Sequence, residues 1–173
     1  YTVTGTASPA QGGSVVCTPN PVPHGATTNC TGTANAGYTL GSASGCGAGS
    51  LSGSTYTTAA VTAACTVTAT FTLNSYAVTA VANPALGGSV TCTPNPVPHG
   101  ATTACTITPN VGYSLAGIAS GCSASGSLVG NTYTTTGVTA ACTLTAQFSV
   151  STYVITKSAI PAAGGSVTCT PNP

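Results

Sequence analysis

The chain has 173 residues with a single Lys, no Arg and no Asp or Glu, so charged residues make up 1% of it, against about 25% in an ordinary soluble domain. Without a carboxylate there is no acid–base pair, no acidic metal ligand and no acid to orient a catalytic His. Without a basic cluster there is no electrostatic footprint for a phosphate backbone or an anionic lipid surface. The composition therefore predicts no enzyme, no cofactor, no metal and no nucleic-acid partner. No run of about 20 apolar residues is present, so no membrane insertion is expected either.

Taken in chain order, the sequence repeats itself. "YTVT" at Tyr1 opens a strand, and "GGSVVC" pairs with "TTNCT" to suggest a hairpin around the phrase "CTPNPVPHGATT", Cys17 to Thr28. "GYTL" from Gly37 is a further short strand. In "CTVTATFT", Cys65, Val67, Ala69 and Phe71 alternate with Thr66, Thr68, Thr70 and Thr72, the period of a half-buried strand. The same landmarks then return: "YAVT" at Tyr76, "CTPNPVPHGATT" at Cys92, "GYSL" at Gly112, "CTLTAQF" at Cys142. "YVIT" at Tyr153 begins a third round that reaches "CTPNP". Residues 1–75 and 76–152 thus read as two complete modules and 153–173 as the start of a third, cut from a longer tandem array. Gly, Pro and Asn punctuation and the scarcity of helix formers predict an all-β chain of tandem small modules, each a disulfide-stapled β-sandwich or barrel.

Each module has a thin core, one Phe and a few Val, Leu and Tyr, and domains of this size often need staples. Cys17, Cys30, Cys46 and Cys65 in the first module, and Cys92, Cys105, Cys122 and Cys142 in the second, provide an even set of four. That pattern predicts disulfides formed in an oxidising, extracellular compartment. Four cysteines allow three connectivities. Pairing within each loop, Cys17–Cys30, Cys46–Cys65, Cys92–Cys105 and Cys122–Cys142, is favoured because the first pair of each module flanks a turn between neighbouring strands. Closing loops of about a dozen to twenty residues contributes roughly 3 kcal/mol each. The odd Cys169 belongs to the third module and is expected to pair beyond the sequence. Zinc sites use close ligand pairs, which these widely spaced cysteines do not form.

Other side chains have a functional and a structural reading. His24 and His99 each follow a cysteine by seven residues, but the absence of a third group to orient the imidazole favours a turn residue at a hairpin tip, with Gly25 and Gly100 at positive φ. Tyr38, Tyr56, Tyr113 and Tyr133 could stack on sugars but are expected in the core. The Thr66–Thr72 row could form a flat binding face and is expected to be a solvated strand face. "NCT" places Asn29 in a glycosylation sequon.

The pattern Y-x-V/I-T…GGSV…N-x-GY…T-x-T-A-x-F resembles the divergent internalin B-type (Listeria–Bacteroides-type) repeats of bacterial cell-surface proteins, in a cysteine-containing branch. The resemblance implies a secreted β module acting as spacer, adhesin stalk or matrix component. The near-total loss of charge is a departure from that group and favours a homopolymer: tandem modules assembling into a surface filament, sheath or matrix fibre, with self as the main partner. A stalk or glycan-binding module of an adhesin is the alternative.

Overall fold

The computed structural model describes residues 1–122 and 125–170 and contains two complete β-sandwich modules in tandem. In the first, β1 (Val3–Ser8), β7 (Cys65–Leu73) and β4 (Tyr38–Gly45) form a three-stranded sheet in the order β1-β7-β4. Strands β2 (Gly13–Thr18), β3 (Asn29–Ala34), β6 (Thr55–Thr57) and β5 (Ser50–Ser52) form the second sheet in that order. A short bridge strand β8 (Ser75–Tyr76) leads into the second module. There β9 (Val78–Asn83), β16 (Cys142–Val150) and β13 (Tyr113–Ser120) build the three-stranded sheet. The four-stranded sheet is built from β10 (Gly88–Thr93), β12 (Ala104–Pro109), β15 (Thr132–Thr134) and β14 (Ser127–Val129), while β11 (Val97–Pro98) pairs with β8. The all-β architecture expected from the sequence is the one observed.

The alternation in β7 is what the two-layer arrangement uses. Val67, Ala69 and Phe71 are buried, while Thr66, Thr70 and Thr72 are exposed and Thr68 is half-buried. Val67 and Val3 pack with Cys17, Cys30 and Tyr56 from the opposite sheet, and Leu144, Val78, Cys105 and Tyr133 do the same in module two. The "GGSV" phrase makes room for the one Phe of each module. A Cβ on Gly13 would fall 2.6 Å from Phe71 Cζ, and one on Gly88 would fall 2.7 Å from Phe148 Cζ. Glycine is needed there because a larger residue would expel the largest apolar side chain of a thin core.

Three features go beyond the expectation from sequence. β1 runs parallel to β7, with Val3 opposite Cys65 and Ser8 opposite Thr70, so the first and last strands of a module lie side by side; β9 and β16 repeat this. The Gly-rich stretch after Cys46 holds a hairpin, β5–β6, whose Tyr56 is buried with its hydroxyl donating to Gly45 O at 2.9 Å. The third difference corrects an expectation: "YVIT" at Tyr153 forms no strand, and Ala162–Gly164 is the segment's one helical turn among the described residues. β1 and β9 owe their main-chain partners to the last strand of their own modules, and among the described residues no such strand lies beside 153–170. Ile155 is accordingly 55% exposed, whereas its counterparts Val3 and Val78 are 1% and 2% exposed.

Candidate functional site at the repeated histidine loop

The phrase from Cys17 to Thr28, expected as a hairpin tip clipped at its base, is the loop of the β2–β3 hairpin with Cys17 opposite Cys30. The loop between β2 and β3 folds back onto its own module. Val22, between two prolines, is buried, and its N–H donates to Tyr1 O at 2.8 Å. Val97 is buried in the same way and pairs with Tyr76. An apolar side chain between prolines is more stable packed than displayed on a tip.

Polar residues fasten the loop at defined points. Asn20 acts as a strand edge: its Oδ1 accepts from Val3 N–H at 3.0 Å and its Nδ2 donates to Val3 O at 2.8 Å. Asn95 does the same for Val78 at 2.9 and 2.8 Å. Buried Thr28 donates its hydroxyl to Pro19 O at 2.7 Å and receives Thr58 N–H at its carbonyl at 3.0 Å. Gly25 and Gly100 both have φ of 78°, and their N–H groups donate to Val61 O and Val138 O. At the base of each loop Cys17 lies opposite Cys30, and Cys92 opposite Cys105, in register across the two strands.

The four disulfides of the structure are Cys17–Cys30, Cys46–Cys65, Cys92–Cys105 and Cys122–Cys142, and Cys169 is unpaired within the chain. No thiolate therefore stands beside either histidine. His24 and His99 instead pack at a tilt against the tyrosine that opens their module, with ring centroids 5.9 Å apart in both cases and interplanar angles of 55° and 59°. Among the described residues no three His, Cys, Asp or Glu side chains come together. Tyr56 and Tyr133 are buried and Tyr38 and Tyr113 half-buried, which leaves none of the four as an open stacking platform. A cleft of about 190 Å³ beside Cys46–Cys65, lined by Gly47, Val61 and Ala63, is smaller than the roughly 300–1,000 Å³ of a usual small-molecule site. Asn29 sits exposed at the start of β3, its Oδ1 accepting from Thr57 Oγ1 at 2.8 Å.

The two histidine loops differ in one respect, which sequence reading missed. His24 is exposed. His99 is turned onto module one: its N–H donates to Asn74 O at 2.8 Å, and Asn74 N–H donates to Gly37 O at 2.8 Å. Its ring lies against Gly37, where any Cβ would overlap Cγ and Cδ2 of the imidazole. His99 Nδ1 is buried there without a hydrogen-bond partner among the described residues. The loop is thus both a clasp within its module and a contact to the module before it.

Two copies of one sandwich, matching from opening Tyr to closing β strand, point to a defined repeat. The divergent InlB B-repeat domain model matches residues 1–75 and again 76–152. The chain belongs to the divergent InlB B-repeat family. No curated protein and no solved structure matches it. As a B-repeat protein it is a tandem, disulfide-bonded, all-β chain, and the observed site is a joint between repeats.

Proposed function

We propose that this B-repeat chain is a structural part of an extracellular bacterial surface protein whose modules assemble into a filament, sheath or matrix fibre. The observation that carries the reading is a tandem pair of stapled sandwiches with almost no charge on any exposed strand edge. Charged residues, Lys above all, are the usual guards against edge-to-edge pairing. The long edges β4 and β13 have irregular registers at Leu40/Ser42 and Leu115/Gly117, and such bulges blunt an edge. β1, β9, β2 and β10 are all six-residue edges with unbroken register. Val3 and Val78 of β1 and β9 are already capped by Asn20 and Asn95, so β2 and β10 are the strands that take a second subunit by main-chain pairing. The disulfides and the repeat family support a place outside the cytoplasm.

The test images the oxidised protein and a variant with a lysine on each of these edges, Val16→Lys with Thr91→Lys, both positions being exposed. Regular fibres from the parent and their loss in the folded variant are the expected outcome. A parent that stays a dispersed monomer and binds glycans would replace this reading with that of an adhesin stalk.

A further inference from the structure

From the contact between Gly37 and His99 we infer that the Asn-x-Gly-Tyr turn of one module and the Pro-Val-Pro-His-Gly loop of the next are two halves of one connector, which holds consecutive modules as a rigid body. The inference holds for a fibre and for a spacer alike, because it concerns only how a module is seated on its predecessor.

The connector is assembled from one ring contact and three hydrogen bonds that meet at Asn74. The Gly37 backbone takes φ of +79°, a conformation natural to glycine, and the absent side chain leaves the flat surface on which the imidazole lies. Asn74, the residue joining the modules, is hydrogen-bonded on both sides at once: its N–H to Gly37 O of module one and its O to His99 N–H of module two, each at 2.8 Å. Its side chain is held as well, Oδ1 accepting from Thr39 Oγ1 at 2.7 Å. The residue between the modules is therefore a bonded link rather than a free hinge. Loops that act as hinges have few such bonds and open at little cost.

The chain also carries each half once without the other. Gly112 repeats the turn, with φ of +83° and Ser151 N–H donating to its carbonyl at 2.8 Å, and no atom of the described residues stands within 4 Å of where its Cβ would be. His24 repeats the loop, packed on Tyr1 as His99 packs on Tyr76, and is exposed. A β-carbon at Gly37 and one at Gly112 impose the same backbone strain on their own turns, so any difference between them reports the connector alone.

The experiment measures backbone ¹⁵N relaxation of the oxidised 173-residue chain, module by module. The parent is expected to show one common rotational correlation time. Gly37→Ala should make the two modules tumble separately, with a shorter time for each, while Gly112→Ala stays like the parent. His99→Ala, which alters no glycine turn, should shorten both times in the same direction, and His24→Ala should not. Separate tumbling in the parent overturns the inference. So does an equal effect of the two glycine variants, or a His99→Ala chain that still tumbles as one body.

Discussion

The histidine loops of the two modules have the same twelve-residue sequence and the same internal bonds, yet one ends in an exposed imidazole and the other in a contact with a neighbour. Asn20 and Asn95 grip Val3 and Val78 alike, and the Tyr–His ring distances are identical at 5.9 Å. What differs is the surroundings: among the described residues, His99 lies against Gly37 of the module before it and His24 is exposed. The comparison separates what a module needs in order to fold from what a tandem needs in order to be stiff. The disulfide, the Asn clasp and the buried Val belong to the first; the imidazole belongs to the second.

That division can be broken most forcefully at the disulfides. Replacing Cys17 and Cys30 by Ser should destabilise module one by about 2–5 kcal/mol, and the Cys92/Cys105 pair should cost module two a similar amount. Hydrogen exchange resolved by module is the measurement, and a loss falling mainly on the untouched module would refute the assignment of the clip to its own sandwich. A smaller effect is expected at the clasp. Asn20→Ala and Asn95→Ala each strip partners from one backbone N–H and one carbonyl, at about 1–3 kcal/mol, and urea unfolding should find the two changes equal. Smallest is His24→Ala, an exposed change expected to stay within about 0.5 kcal/mol. His99→Ala should exceed it, and equality of the two would erase the distinction between the loops.

The parts of this fold that were legible in the sequence are those encoded by neighbours in the chain. Val67, Ala69 and Phe71 against Thr66, Thr70 and Thr72 announce both a strand and its buried face, and the repetition of whole phrases announces the modules. A period of two does not name the partner of a strand, however, and the parallel pairing of β1 with β7 joins residues some sixty positions apart. "PVPHG" carries every sign of a turn, and nothing local says which way the turn leans. Its reversal onto the module depends on one Val and on Asn side chains standing in for backbone, which no local pattern marks. The contact of His99 with Gly37 was further out of reach, since it links different copies and uses a missing side chain as its surface. The third round reads as a strand at "YVIT" because propensity is a property of the segment itself, while a strand also needs the distant one it pairs with.

The parallel pairing of the first and last strands has a mechanical consequence. A chain that enters a module at the start of β1 and leaves it at the end of β7 passes through opposite ends of one ladder, Val3↔Cys65 to Ser8↔Thr70. Tension along such an array pulls the two strands past each other, so their cross-links are loaded together in shear instead of being peeled open one by one. Behind that ladder, Cys46–Cys65 locks a segment spanning 19 positions out of any extension. Each repeat is thus arranged to bear load along the axis of the chain.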